Sequence, residues 1–282
     1  MDSVELLAPA KINLALDVIG KRSDGYHDVK MIMQSISLAD RVKVTRYNGR
    51  TRIRSNVENI PLNDNNIAIK AWRLMKDRFR LPGDVDIYLE KEIPVAAGLA
   101  GGSTNAAAVL KAVNQIFHLG LTPESLAEIG SQIGADVAFC IYGGTALAEG
   151  IGEILTPLPS LPKAWLVLVN PGFGVSTGEI YQSLHWQQIS HRPDTELLVQ
   201  AIKNGAWPMI SSHMVNVLEE VTCTKYPVIK QIKGALHELG LKALMSGSGP
   251  TVFGITDTYE KAVEVARSIK KQWPTVLVAH TL

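Results

Sequence analysis

Ile93-Pro94-Val95-Ala96-Ala97-Gly98-Leu99-Ala100-Gly101-Gly102-Ser103-Thr104-Asn105, running on into Ala106-Ala107-Ala108-Val109-Leu110, is the stretch from which the fold of this 282-residue chain is read. It reads as a strand end, a loop of very small side chains and an Ala-rich helix. Upstream, Val85, Ile87 and Leu89 alternate with Asp84, Asp86, Tyr88 and Glu90, the period of a half-buried strand. Downstream, Leu110, Val113 and Phe117 stand at helical spacing and extend the helix to about His118. Gly98, Gly101 and Gly102 let backbone approach a ligand with no Cβ in the way. Ser103, Thr104 and Asn105 are candidate caps for the orphan N–H groups of the helix start. A strand, a small-residue loop and a free helix N-terminus can cradle an anion. The same pattern also serves as a tight strand-to-helix turn whose glycines answer to packing alone. Two common phosphate loops do not match. Gly102 is followed by Ser103-Thr104 rather than Lys and a hydroxyl residue, and Ala100 and Ser103 stand where a dinucleotide fingerprint needs glycine.

Bulk composition narrows the class. With 46% hydrophobic and 20% charged residues, the chain is long enough for one large or two ordinary globular domains. A formal net charge of +1 leaves no global basic footprint for nucleic acid and no strong membrane-surface field. Cys140 and Cys223 lie far apart, which argues against a zinc site or disulfide scaffold and suits a reducing compartment. No apolar run reaches the ~18 to 20 residues of a membrane helix. Met1-Asp2-Ser3-Val4-Glu5 lacks a signal pattern, so a cytoplasmic enzyme or binding protein is expected.

Working outward, Ile12, Leu14, Leu16 and Val18 share one strand face, which puts Lys11, Asn13 and Asp17 on the other. On spacing alone a strand lysine reads as a solvated face. Tyr26-His27 follows a charged Gly turn, as loop anchoring or as part of an aromatic platform. Met31–Leu38 and Arg41–Arg46 read as paired strands, and Asn48-Gly49 as a hairpin turn into Thr51–Arg54. The arginines there read as a solvated edge. Ala68, Trp72, Met75 and Phe79 mark an amphipathic helix. Thr122-Pro123-Glu124 starts another that stops at Gly134, and Asp136 is expected to cap a short helix beginning at Val137. Residues 143–155 read as a hairpin, and Pro157, Pro159 and Pro162 mark a boundary near residue 158. Beyond it, strands at 165–169, 243–245, 252–255 and 276–279 alternate with helices at 177–185, 194–204, 211–220, 227–239 and 259–272. This is an α+β pattern. Ser246-Gly247-Ser248-Gly249-Pro250-Thr251 forms a second small-residue loop.

Pro9-Ala10-Lys11-Ile12-Asn13-Leu14, Pro94–Asn105 and Ser246–Thr251 together resemble the three ordered motifs of the galactokinase, homoserine kinase, mevalonate kinase and phosphomevalonate kinase (GHMP) superfamily. Ser23-Asp24-Gly25-Tyr26-His27, Gly134-Ala135-Asp136-Val137 and Glu149–Leu158 are similar to segments of its 4-diphosphocytidyl-2-C-methyl-D-erythritol kinase branch. The match spans Ala8 to about Thr251.

The resemblance implies a two-domain α+β GHMP kinase fold. Residues 1–157 would form an ATP-binding domain like domain 2 of ribosomal protein S5, residues 158–282 a ferredoxin-like domain, and the active site would lie in the cleft. It implies transfer of the ATP γ-phosphate to the 2-hydroxyl of the diphosphocytidyl-methylerythritol substrate, with Mg2+ whose protein ligand is not readable beyond Ser103 as a candidate. Another GHMP kinase of homoserine or mevalonate type, or a non-catalytic GHMP-fold binding protein, is the alternative. No nucleic-acid or membrane partner is expected, and the chain would act as a monomer or homodimer. By residue, the implied ATP loop comprises Pro94, Val95, Ala96, Ala97, Gly98, Leu99, Ala100, Gly101, Gly102, Ser103 and Thr104. Lys11 and Asp136 are the implied catalytic pair, and Asn13 and Thr177 line the acceptor site. Tyr26 and Tyr181 would sandwich the cytosine, with His27 hydrogen-bonded to it. Ala96, Ala97 and Ala100 stand where many relatives have glycine, so an ordinary negative φ is expected at Ala100.

Overall fold

A computed structural model describes residues 2–282. In chain order its first half comprises strands β1 (Ser3–Lys21), β2 (His27–Tyr47) and β3 (Arg52–Ser55), helix α1 (Ile67–Phe79) and β4 (Asp84–Glu90). Helices α2 (Gly101–Ile116), α3 (Pro123–Ser131) and α4 (Ala135–Tyr142) and the hairpin β5 (Thr145–Glu149) with β6 (Ile154–Leu158) follow. The second half runs β7 (Trp165–Asn170), α5 (Thr177–Ser183), α6 (Thr195–Lys203), α7 (Trp207–Ser212), β8 (Val215–Asn216), α8 (Glu219–Lys225) and α9 (Val228–Glu238). It closes with β9 (Lys242–Met245), β10 (Val252–Thr256), α10 (Tyr259–Ile269) and β11 (Thr275–His280).

The chain divides into two compact units, and neither is continuous in sequence. Their limits differ from a single cut at residue 158, because β1 and β2 are long enough for each to contribute one stretch to one unit and one to the other.

One unit takes residues 1–10, 39–95 and 100–143. In its sheet β4 runs antiparallel to β2, from Arg41 opposite Glu90 to Tyr47 opposite Asp84. β3 lies at the edge, parallel to β4. Asn48-Gly49 therefore does not close a hairpin, since Thr51–Arg54 leads to a strand paired with β4 rather than β2. The side chains explain the choice: Arg52 and Arg54 both donate to Asp86 of β4, each at 2.8 Å. Residues 31–46 form no pair either but one continuous strand. Nothing in that segment breaks the ladder, and its inward residues Val42 and Val44 are fully buried. Against the sheet, α1 and α2 bury Trp72, Met75, Val109, Leu110 and Val113. The helix start predicted at Thr122 is capped by that side chain, and Asn66 caps α1 in the same way.

The other unit takes residues 11–38, 96–99 and 144–282. Its part of β2 pairs with β5 from Met31–Ala148 to Gln34–Thr145, and β5 with β6 in the predicted hairpin. β8 adds to β1 in parallel, Ala15 opposite Val215 and Leu16 opposite Asn216. This overturns the single helix expected over 211–220. Met214 to Val217 breaks the helical period by joining a sheet, and helix resumes only at Glu219. A separate antiparallel sheet has the order β11-β7-β10-β9, first and last strands adjacent, as in a ferredoxin-like domain.

Candidate active site

The loop after β4 is organised first by what lies beneath it. Asp40 is fully buried on β2, and its carboxylate accepts from the backbone N–H groups of Glu92 and Ile93 at 2.8 and 2.9 Å. Its other oxygen meets the Lys91 ammonium and, at 2.8 Å, the Asn105 side-chain amide. Lys91 also donates to Asn105 at 3.1 Å. One buried charged triad thus ties the strand end to the second turn of α2. A buried ion pair survives only with such extra hydrogen bonds. Asp40 sits inside a strand and carries no motif, so the sequence left it unmarked.

The helix itself starts two residues before its predicted caps. Ala100 occupies the cap position and its side chain makes no capping hydrogen bond. Thr104 instead donates its hydroxyl to the Pro9 carbonyl at 2.8 Å, and Asn105 serves the triad. No cap side chain competes for the first-turn N–H groups, which supports an anion at that end.

Backbone conformation corrects the expectation for the alanines. Ala100 has φ of 58° and Ala96 of 52°, both left-handed. The turn reverses direction within a few residues and takes the strain, about 1 to 2 kcal/mol per left-handed alanine. Neighbours hold it there. Thr104 N–H donates to the Ala100 carbonyl at 2.9 Å, and Val175 N–H to that of Ala96 at 3.3 Å.

Residues 96–99 belong to the same unit as the second small-residue loop, and the two are laced together. Ser246 Oγ donates to the Gly98 carbonyl at 2.9 Å. Thr251 N–H donates to the Ala97 carbonyl at 3.4 Å. A Cβ at Gly98 would stand 2.2 Å from the Ser246 carbonyl, so only glycine fits that approach. The second loop is itself braced by residues that sequence reading missed. Asn216 donates to the carbonyls of Met245 and Gly247 at 2.8 and 2.7 Å, and Asn170 to Thr251 Oγ1 at 2.9 Å. Both are buried asparagines at strand ends, a signal visible in sequence only once the strands are known.

Lys11 is not on a solvated face. It is 5% exposed and Asn13 is wholly buried, because β1 is covered on both sides from Ala10 to Val18. Lys11 Nζ donates to Asn13 Oδ1 at 2.8 Å, and Lys11 N–H donates to the Leu99 carbonyl at 3.2 Å. The predicted lysine and asparagine are therefore joined to each other and to the glycine loop. In the same unit His27 and Tyr181 bring their rings to 5.5 Å, tilted by 38°. His27 is 8% exposed, whereas Tyr26 is 61% exposed and turned to solvent. Burial, with the Lys21 charge second, pulls the His27 imidazole below its ordinary value, so it is neutral at physiological pH. Thr177 opens α5, its hydroxyl 2.9 Å from that of Ser248.

Asp136, with Pro94, Val95 and Ala100–Thr104, lies in the unit opposite in chain assignment to Lys11. It is not a cap: α4 begins at Ala135 after Gly134, and Asp136 stands in the first turn. Gly134 takes the cap because its extended backbone lets the chain enter the helix one residue early. An acidic residue in the first turn is favourable at the positive end of the helix dipole. Among the described residues no group of three or more His, Cys, Asp or Glu could hold a metal, and no helix is long and apolar enough to cross a membrane.

Comparison with known proteins gives concordant matches. Residues 66–144 match the model of the GHMP kinases N terminal domain and residues 198–275 that of the GHMP kinases C terminal. The chain is 52% identical over 265 residues to the 4-diphosphocytidyl-2-C-methyl-D-erythritol kinase of Alkaliphilus oremlandii, covering 93% of this chain and 91% of that one. With the same-named protein of Acetivibrio thermocellus it shares 48% identity over 283 residues, the full length of both. A crystal structure of 4-(cytidine 5'-diphospho)-2C-methyl-D-erythritol kinase superposes with a TM-score of 0.83 at 33% identity, over 99% of each chain.

Proposed function

We propose, because this chain belongs to the GHMP kinases and, within them, to the 4-diphosphocytidyl-2-C-methyl-D-erythritol kinases, that it transfers the ATP γ-phosphate to the 2-hydroxyl of 4-diphosphocytidyl-2-C-methyl-D-erythritol in non-mevalonate isoprenoid biosynthesis. The observation that supports the site reading best is the Lys11–Asn13 pair, buried on β1 and bonded through Lys11 N–H to the glycine loop. It sets a cation and an amide beside the backbone that would wrap the triphosphate.

Phosphoryl transfer asks the protein mainly for positioning and charge stabilisation. Residues 94–104 would hold the phosphates through backbone N–H groups. Lys11 would stabilise the charge on the transferring phosphoryl group and the acceptor oxygen. Asp136 would take the hydroxyl proton, and Asn13 and Thr177 would orient the acceptor. Neutral His27 suits a hydrogen bond to an uncharged base, with Tyr181 and Tyr26 closing on its faces. Mg2+ carried on the triphosphate needs few protein oxygens. Ser103, in the first turn of α2, is the candidate protein ligand, with binding through water as the alternative. When bound, the ion neutralises phosphate charge.

The division at residue 158 belongs to this reading, supported by β7, β9, β10 and β11, which all follow it and form one sheet. So do a cytoplasmic location, independence of nucleic acid, and action as a monomer or homodimer.

The test is ADP formation by the purified chain with ATP and Mg2+. The acceptors are diphosphocytidyl-methylerythritol and, in parallel, homoserine, mevalonate and galactose. Turnover with the cytidyl acceptor alone is expected; turnover with one of the other three instead overturns the assignment.

A further inference from the structure

The segment joining α5 to α6 is tied to β1 and β2 by charged groups that the reaction does not use. Arg192 Nη1 donates to Asp17 Oδ1 at 2.5 Å and to the Val18 carbonyl at 3.0 Å, while Nη2 donates to the Trp186 carbonyl at 2.5 Å. Asp17 shares a face of β1 with Lys11 and Asn13, and its side chain is 11% exposed. Its Oδ1 also accepts from Val18 N–H at 2.8 Å. Lys30 on β2, three residues past His27, pairs with Glu196 in the first turn of α6. Glu196 is largely exposed, so that pair adds little; the half-buried Arg192–Asp17 pair dominates.

What Arg192 holds is the exit of α5. Leu184 N–H donates to the Tyr181 carbonyl at 3.3 Å, and Gln188 N–H to that of His185 at 2.8 Å. Leu184 is buried. The chain from Tyr181 to Gln188 is thus turned by its own hydrogen bonds, and the Trp186 carbonyl is the point where Arg192 anchors it to β1. An arginine suits the place, since its planar fork places two separate nitrogens on acceptors that lie apart, where an ammonium offers one.

We propose that Arg192 is a positioning residue for the nucleobase end of the acceptor: by clamping the α5 exit to Asp17 and Val18 it fixes the Tyr181 ring against His27. The inference rests on the reading of His27 and Tyr181 as the cytosine platform. It predicts a specificity effect confined to the acceptor, since the hydrogen bonds of Arg192 and Asp17 go to β1 and to the α5 exit.

The experiment is steady-state kinetics of Arg192→Met, Arg192→Lys, Asp17→Asn and Tyr181→Ala, each first checked for a cooperative thermal transition. Arg192→Met is expected to raise KM for diphosphocytidyl-methylerythritol about tenfold or more, with KM for ATP changed less than about twofold. Arg192→Lys should recover part of the loss, and Asp17→Asn should move the same KM by less. An unchanged acceptor KM in Arg192→Met, or equal losses in both KM values, overturns the proposal. Should Arg192→Met not fold, Arg192→Lys and Asp17→Asn decide by the same two outcomes. Tyr181→Ala separates the premises. Its silence refutes the platform, whereas a strong effect there with silence at Arg192 refutes the clamp alone.

Discussion

Ser246 Oγ donates a hydrogen bond of 2.9 Å to the carbonyl of Gly98, and the Ser246 carbonyl closes the space a Cβ at Gly98 would need. Two glycine-rich segments separated by 148 residues are thereby packed backbone to backbone. The farther segment fills the space behind the nearer loop and holds its backbone in place.

Gly98→Ala tests that packing. Its φ of +75° already costs a Cβ about 1 to 2 kcal/mol, and the 2.2 Å approach adds displacement of the Ser246 peptide. KM for ATP is expected to rise about tenfold or more, and the melting temperature to fall by ~2 to 4 °C per kcal/mol lost. Steady-state kinetics and thermal unfolding with and without ATP check both.

Ala100→Gly should act the other way. At φ of 58° glycine relieves left-handed strain, partly offset by the extra freedom it gives the unfolded chain. A gain of up to about 1 kcal/mol in stability with turnover retained is expected, read as a shift in the urea midpoint. A loss would mean that the Ala100 methyl contributes packing worth more than the strain.

Lys11→Met and Asp136→Asn are expected to lower kcat by about 100-fold or more while ATP affinity, measured by calorimetry, stays close to that of the parent. Near-normal turnover in either variant removes that residue from the mechanism.

His27 gives the pH dependence. Its folded value lies below the ordinary 6.5, chiefly through burial, so the unfolded chain binds more protons as pH falls below 6.5. Its contribution to stability is present above pH 6.5 and is lost as pH drops through the lowered value. KM for the acceptor should stay flat from pH 8 to below 6.5 and rise only at lower pH. A rise centred at 6.5 or above would contradict a buried, neutral imidazole.

Lys91→Met leaves Asp40 as a buried carboxylate without its cation. A destabilisation of about 3 to 5 kcal/mol is expected, and Lys91→Met combined with Asp40→Asn should recover much of it. Chemical denaturation of the single and double variants measures the coupling.

The glycine loop and the second small-residue segment were legible as strand-to-helix or strand-to-strand turns because side-chain size is a local property, whereas period alone put Lys11 on a solvated face that the structure buries. The α3 cap and the strands of the second sheet were legible from residue type and period, which are local as well. The ring pair of His27 and Tyr181 was not legible from spacing, because the two residues lie more than 150 positions apart in the chain. The helix expected over 211–220 shows the same limit. Val215 and Asn216 became strand because β1 offered a free edge, a partner about 200 residues away that no local pattern registers.

By itself the sequence determined most of the alternation of strands and helices, a near-neutral net charge, and a family-specific set of small residues at three places. These follow from period, charge and the size of side chains, which are local properties. Only the tertiary structure decided that β2 is one strand, that Asn48-Gly49 leads to a parallel edge, and that Ala96 and Ala100 take left-handed conformations. Two of these have long-range partners, Asp86 for the arginines and Val175 for the Ala96 carbonyl, while Ala100 is held locally by Thr104 N–H. A backbone conformation that costs 1 to 2 kcal/mol in isolation is retained when neighbours hold it in place, at about that scale per residue.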